Sequence, residues 1–286
     1  MILVTGASGN VGSEVVRAVL DADQPVRALS RAAPASIPSG VEVVPGDLDR
    51  PETLSAALDG VDAVFLLPGF RDMPGLLTQI GKAGVTRVVL LSGGSAGDND
   101  PDNAISRYMA RSETAVRESS LPWTILRPAA FMSNTLRWAP ELRAGDVVRE
   151  PFPHVRVANI DPYDIAAVAV QALLTPAHEG ETYFLSGPES LLPADRLAIL
   201  GAILGRNLTL RALSPDEARA ELGASMLAEY VDAFFRFYID GTLDESFIRP
   251  TVEEITGRAP RPFRQWATAH AAVFASVQKD HEDVSG

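Results

Sequence analysis

Cysteine is absent from this 286-residue chain, and only four histidines are present. The first absence excludes disulfides, thiolate metal sites, iron–sulfur ligation and a cysteine nucleophile. His154, His178, His270 and His281 are scattered without the i,i+4 pairing of a helical zinc site, so no metal is expected. Positive charge is also scarce. Lys and Arg number 25 against 37 Asp and Glu, a net charge of −12 that argues against nucleic acid or an anionic membrane as partner. No apolar run reaches the length of a membrane span, and no internal repeat or low-complexity segment is visible. Met1 leads directly into an apolar stretch, which leaves no room for a signal peptide and makes cytoplasmic residence the expectation.

Hydrophobic residues, at 46%, suffice for the core of one α/β unit with a small lobe. The most informative stretch is Ile2-Leu3-Val4-Thr5-Gly6-Ala7-Ser8-Gly9-Asn10-Val11-Gly12. Three β-formers run into a glycine-rich turn, and the turn into a helix-like segment from Val11 to Leu20. A dinucleotide pyrophosphate needs that order: a strand to fix the loop, a bare backbone to approach the phosphates, and a helix mouth whose N–H groups and dipole face the anion. The spacing is G-x-x-G-x-x-G rather than G-x-G-x-x-G. Pro25 to Leu29 reads as the second strand. Ser30-Arg31 follows where a carboxylate would accept from the ribose 2′-OH in an NAD-selective protein. A guanidinium there suits a 2′-phosphate, so NADP(H) is the preferred cofactor and NAD(H) the lesser alternative.

Strands alternate with helix-period segments onward. Val41–Val44, Asp62–Leu67, Val85–Leu91 and Trp123–Leu126 read as strands, and 51–58, 74–83 and about 106–119 as helices. The alternation predicts a doubly wound parallel sheet, a Rossmann domain, with Gly93 to Ser106 as a loop over its carboxyl edge. The later chain predicts a helix at 162–174 capped by Asp161 and a strand at 182–185. Ser214 and Glu217 form a capping box that opens a further helix to Leu222. Phe234, Phe235, Phe237 and Tyr238 cluster on one helical segment, as core or as an aromatic pocket wall. Residues 1–135 are then the dinucleotide-binding core. Residues 136–286 form a mainly helical substrate lobe, from which 162–174 and 182–185 return to the core.

Taken together, these residues resemble the NmrA-like branch of the atypical short-chain dehydrogenase/reductases, which includes quinone and azo-dye reductases. The resemblance is carried by Thr5–Gly12, Gly46-Asp47-Leu48-Asp49 and Gly84–Val89, and above all by Ser120-Leu121-Pro122-Trp123-Thr124-Ile125-Leu126-Arg127-Pro128. Asp161–Ala166 and Leu185–Glu189 add to it, so that it extends to about residue 275. It implies that Gly6, Ser8, Gly9, Asn10 and Val11 wrap the pyrophosphate and that Ser30 and Arg31 face the 2′-phosphate. It further implies that Asp47 and Leu48 edge the adenine, that Leu66, Leu67 and Pro68 lie near the nicotinamide ribose, and that Pro128 and Phe131 flank the nicotinamide.

The catalytic pattern departs from the wider family. Where Tyr-x-x-x-Lys is usual, this chain reads Tyr108-Met109-Ala110-Arg111-Ser112. Tyr108 is the candidate proton donor, with Arg111 on roughly the same helical face to supply charge. Ser92, ending the fifth strand, stands at the place of the family's substrate-polarising serine. A quinone-like or conjugated carbonyl acceptor, small and aromatic, tolerates this weakening, because its incoming charge is delocalised. The same scaffold admits a non-enzymatic NAD(P)-sensing regulator, or an epimerase or lyase that tailors aromatic natural products. Gly93-Gly94-Ser95-Ala96-Gly97 matches the G-x-S-x-G nucleophile elbow, but Asp98-Asn99-Asp100-Pro101 prolongs the loop where an elbow turns into a helix.

Arg31→Ala is expected to weaken NADPH binding ~10- to 100-fold, the scale of a lost charge-assisted hydrogen bond. NADH binding should change little. Fluorescence titration of both coenzymes checks this, and equal losses would remove Arg31 from the 2′-phosphate.

Overall fold

The structure is a computed structural model that describes residues 1–30, 37–97 and 100–275. The chain runs through β1 (Ile2–Val4), α1 (Asn10–Asp21), β2 (Val26–Ser30) and β3 (Glu42–Pro45). A 3-10 turn at Pro51–Leu54 leads to α2 (Ser55–Leu58), then β4 (Ala63–Leu66), α3 (Met73–Lys82), β5 (Arg87–Leu91), α4 (Ala104–Glu118) and β6 (Trp123–Pro128). After a 3-10 stretch at Met132–Trp138 come α5 (Ala139–Ala144) and β7 (Val147–Glu150), then α6 (Pro162–Leu174) and β8 (Glu181–Leu185). The remainder is α7 (Pro193–Leu204), β9 (Thr209–Ala212), α8 (Pro215–Gly223), α9 (Ala228–Tyr238), α10 (Thr251–Thr256), α11 (Phe263–Ala269) and α12 (Ala271–Phe274).

Seven of the described strands form one sheet in the order β3-β2-β1-β4-β5-β6-β8, with every neighbouring pair parallel. The expected doubly wound Rossmann sheet is present. Its strands are short and apolar because both faces are covered. Val4, Phe65, Val89 and Leu126 pack under α1 and α6, whereas Leu3, Leu66, Leu90 and Ile125 pack under α2 and α3. On α1, Val11, Val15, Val16 and Val19 form the buried stripe of a 3.6-residue period. From β1 the chain winds outward to β3, then returns to β4 on the other side. The carboxyl ends of β1 and β4 therefore flank the crevice where doubly wound sheets bind ligands.

Helix starts follow their caps. Asp161 accepts from the Tyr163 N–H (3.0 Å), and Ser214 and Glu217 exchange both bonds of the predicted capping box. The helix expected from Ser106 begins at Ala104, because Asn103 caps it by accepting from the N–H groups of Ile105 and Ser106. The stretch after Gly93 is not wholly loop, since Gly94–Gly97 forms a 3-10 turn.

A separate apolar cluster starts at Met132 and gathers Trp138, Leu142, Val148, Leu197, Leu200, Phe263, Trp266 and Phe274. We propose from this packing that the core runs to about residue 135 and that the lobe follows it, with α6 and β8 belonging to the core. The lobe is mainly helical but is organised on a two-stranded parallel sheet, β7 with β9, that the sequence reading lacks. Trp138 is 1% exposed at the centre of this cluster. It belongs to the apolar core of the lobe.

Candidate functional site

The site begins at the carboxyl end of β1. Thr5 is fully buried; its Oγ1 donates to the Phe65 carbonyl (3.0 Å) and accepts from the Leu67 N–H (3.0 Å). One side chain thus clasps the ends of β1 and β4 across the crevice. Gly6 takes φ +63°, a conformation that side chains disfavour, and the Gly9 N–H closes the turn on the Gly6 carbonyl at 2.8 Å. A Cβ on Gly12 would fall well inside contact distance of that carbonyl oxygen, so α1 can pack this close only with glycine there. At the N-cap, Gly9 offers no side-chain oxygen, and no acid occupies the first turn of α1. The opening N–H groups of α1 lack intrahelical acceptors and, with the helix dipole, favour an anion. Ser8, Gly9 and Asn10 are exposed at this mouth, whereas Val11 is buried and contributes only backbone. The loop fits a dinucleotide pyrophosphate.

The neighbouring strand ends supply the rest of the rim. Ser30 closes β2 and its carbonyl accepts from the Gly46 N–H at 3.3 Å; Arg31 lies outside the described residues. Asp47 spends its carboxylate on its own turn, accepting from the Asp49 N–H (3.1 Å) and from Arg50 Nε (3.1 Å). Leu48 packs against the α2–α3 side of the sheet. Leu66 is fully buried there too, so only its backbone borders the crevice. Leu67 and Phe131 pack on the α1 side, Pro68 is half-buried, and Pro128 is the buried last residue of β6.

Of the three candidate catalytic residues, Tyr108 and Arg111 line one groove and Ser92 does not. Ser92 is buried, and its hydroxyl donates to Glu113 Oε1 at 2.6 Å. Glu113, fully buried on α4, also receives Arg127 through two bonds (2.8 and 2.7 Å) and Arg117 at 2.8 Å. Burial pushes the Glu113 carboxyl up, but the bonds from Arg127 and Ser92 outweigh it, and the group stays below the ordinary glutamate range. Ser92 is therefore committed to a structural ion cluster and does not have a free proton to polarise a substrate carbonyl. Ser112, at the position usual for lysine, holds the loop after β4 instead: it accepts from the Gly69 N–H (2.9 Å) and donates to the Tyr108 carbonyl (2.8 Å).

Tyr108 stands beside Gly69 in an open groove with Arg111, Arg107 and Arg71. Its phenol makes no hydrogen bond among the described residues. Burial, with Tyr230 nearby, pushes its pKa above the ordinary tyrosine value. That is opposite to the lowering that a neighbouring lysine provides.

A second space, of about 450 Å³, is lined by Ala130, shortly after the end of β6, and shares no residue with that groove. Ser133, Asn134, Arg137, Glu150, Asn159 and Arg196 give it a polar side. Phe152, Phe234 and Tyr238 give it an aromatic one. The aromatic run on α9 thus divides: Phe235 and Phe237 are buried, while Phe234 and Tyr238 face the cavity. Burial, with Glu245 accepting from its hydroxyl (3.2 Å), pushes the Tyr238 phenol well above its usual pKa and keeps it protonated. The sequence reading lacks Ser133, Asn159 and Arg196. The one available signal for Arg196 is a lone arginine within the apolar stretch of α7.

Ser95 is buried, and no described histidine hydrogen-bonds to it. The hydrolase arrangement is not formed. Among the described residues no three His, Asp or Glu side chains are placed to hold a metal, and no helix is long and apolar enough to cross a membrane.

Comparison with known proteins agrees with this geometry. A family model described as NAD(P)H-binding matches residues 6–176. The chain is 43% identical over 282 residues to a (4-alkanoyl-5-oxo-2,5-dihydrofuran-3-yl)methyl phosphate reductase of Streptomyces griseus, covering 96% of this chain and 99% of that protein. It is 38% identical over 293 residues to an NAD(P)H azoreductase of Xenophilus azovorans, covering 97% and 100%. Its fold is similar to that of an NADPH-dependent quinone oxidoreductase of Escherichia coli solved with NADPH. That likeness has a TM-score of 0.75 at 21% identity over 94% of this chain and 99% of that one.

Four outcomes follow from the loop and the ion cluster. Gly9→Ala, whose Cβ would meet only the Gly6 oxygen at 3.2 Å, should fold and lose most dinucleotide affinity by calorimetry. Gly12→Ala should lose thermal stability as well. Arg127→Met, which strands the buried Glu113, should cost about 3–5 kcal/mol in urea unfolding. The depressed pKa of Glu113 contributes stability above the ordinary glutamate range that is lost as pH falls through the folded value. Glu113→Gln should therefore flatten the acid side of the stability profile.

Proposed function

Since this chain belongs to the NAD(P)H-binding family, in its NmrA-like reductase branch, we propose that it is an NADPH-preferring reductase of conjugated carbonyl or quinone-like acceptors. It is an NAD(P)H-dependent oxidoreductase; what is proposed is the acceptor and the coenzyme preference. The observation that carries the reading is the cavity lined by Ala130, in the segment that follows Pro128 at the end of β6 and precedes Phe131. An acceptor there lies at the carboxyl edge of β6, beside the nicotinamide position implied by those two residues. Phe152, Phe234 and Tyr238 suit a flat, conjugated molecule.

Gly6, Ser8, Gly9, Asn10 and the Val11 N–H would hold the pyrophosphate, with Leu67, Pro68, Pro128 and Phe131 around the nicotinamide half. The bound coenzyme supplies the hydride. The protein's task is to orient the acceptor and exclude water on one side, which the aromatic wall and the lobe behind it accomplish. The proton comes from solvent. Tyr108 lines a different groove and is held above its ordinary pKa, and Tyr238 gives its hydroxyl hydrogen to Glu245. Charge arriving on a quinone or enone oxygen is delocalised, so it does not require a strong acid in contact.

Two relatives support this class. The Streptomyces griseus protein is named for a 5-oxo-2,5-dihydrofuran, in which a ring double bond is conjugated to a carbonyl, and the Xenophilus azovorans protein for an azo bond. The test is NADPH consumption with a panel of quinones, butenolides, enones and azo compounds. Turnover of at least one conjugated class, with saturated ketones inert, is expected; inactivity across the panel would overturn the reading. In the same assay Tyr108→Phe should keep kcat within about 2-fold, because general acid catalysis is worth ~100-fold or more where it operates. A drop of that size would make Tyr108 the proton donor.

A further inference from the structure

The cavity at Ala130 contains a cation that no described carboxylate pairs. Arg196, on α7, is 7% exposed. It donates from Nη1 to Thr135 Oγ1 (3.2 Å) and lies 5.2 Å over the Trp138 ring, yet no ion pair includes it among the described residues. Its Nε has no hydrogen-bond partner, and neither has Ser133 Oγ; both atoms are buried and both residues line the cavity. Asn159 gives its amide nitrogen to the Ala130 carbonyl (3.0 Å), which leaves Oδ1 unpartnered beside these donors and suited to a hydroxyl.

The other charges cancel. Arg137 and Glu150 form an ion pair, and Glu150 also accepts from the Phe152 N–H at 3.2 Å. Glu245 sits behind the Tyr238 hydroxyl. Two arginines against one glutamate leave the lining with a single net positive charge, in a chain whose overall charge is −12. Burial pulls the Arg196 guanidinium down to about 10, as expected of a desolvated cation without full compensation, and it remains charged at neutral pH.

A buried, unpaired guanidinium is costly unless an anion completes it. We propose that Arg196 and Ser133 bind an oxyanion carried by the acceptor, a phosphate monoester or a carboxylate, and thereby aim its conjugated end at Phe131. This rests on reading the cavity as the acceptor site.

The test is calorimetric titration of the NADP⁺-saturated protein with phenyl phosphate, benzoate and benzyl alcohol, which does not depend on turnover. At least one anion should bind ~10- to 100-fold more tightly than the alcohol, the range of a charge-assisted pair. The tighter anion identifies phosphate or carboxylate. Arg196→Met should remove the advantage and Arg196→Lys should keep part of it. If Arg196→Met does not fold by circular dichroism, the wild-type comparison and the lysine variant still decide. In kinetics the anion should compete with menadione and not with NADPH. Equal binding of all three ligands, an unchanged advantage in Arg196→Met, or competition against NADPH alone would overturn the inference. Anion binding together with no turnover of any acceptor would overturn the reductase reading and leave the anion site standing.

Discussion

Everything in this molecule is arranged around the close approach of α1 to the loop after β1. The Gly6 carbonyl accepts the Gly9 N–H, and Gly12 passes so near the same oxygen that no side chain fits between them. That approach turns the axis of α1 toward the crevice, and Thr5 locks it there by tying β1 to β4 through two hydrogen bonds. Loosening this corner would shift the helix mouth relative to the ends of β4 and β6. A dinucleotide is long enough that its pyrophosphate and its nicotinamide must be met by one rigid frame. The four buried valines on α1 make that frame stiff.

The helix that carries acid–base chemistry in orthodox relatives serves here as a brace. Ser112 ties α4 to the loop after β4, and Glu113 ties it to β5 through Ser92 and to β6 through Arg127. A carboxylate buried this deeply persists because three donors surround it, and removing any one exposes the desolvation cost of the rest. The arrangement fixes the carboxyl edges of three neighbouring strands. It also engages the hydroxyls of Ser92 and of Ser112, at the position usual for lysine, in hydrogen bonds within the protein.

The core was legible in the sequence because its signals are local. Val64 to Leu66 and Val88 to Leu90 are continuous apolar runs that only a sheet covered on both faces requires, and Asp161 and Ser214 announce their helices by capping chemistry. β7 and β9 were not legible. Each has four residues with charge or alternation too short to count, and their pairing joins segments about sixty residues apart. α7 escaped for a different reason: it is apolar on most sides, without the one-faced stripe that marks a surface helix. The nucleotide loop was readable because backbone geometry dictates glycine. The cavity proposed for the acceptor was not, because Ser133, Asn159, Arg196 and Tyr238 come from four segments that meet only once the lobe is folded.

The lobe's packing explains why a charged cavity is stable there. Trp138 is buried with the Arg137 and Arg196 guanidinium groups at 5.8 and 5.2 Å from its ring. An aromatic face partly offsets the desolvation of a guanidinium without cancelling its charge. A carboxylate in the same place would have neutralised the chamber. Glu150 is close enough to influence Arg196, but its hydrogen bonds go to Arg137 and the Phe152 N–H. The indole therefore holds Arg196 in place while leaving its field open to the cavity. On the proposed reading the lobe selects the acceptor and the sheet holds the coenzyme, and the two cores adjoin at Phe131, whose side chain packs on the sheet's core and whose successor, Met132, begins the lobe's.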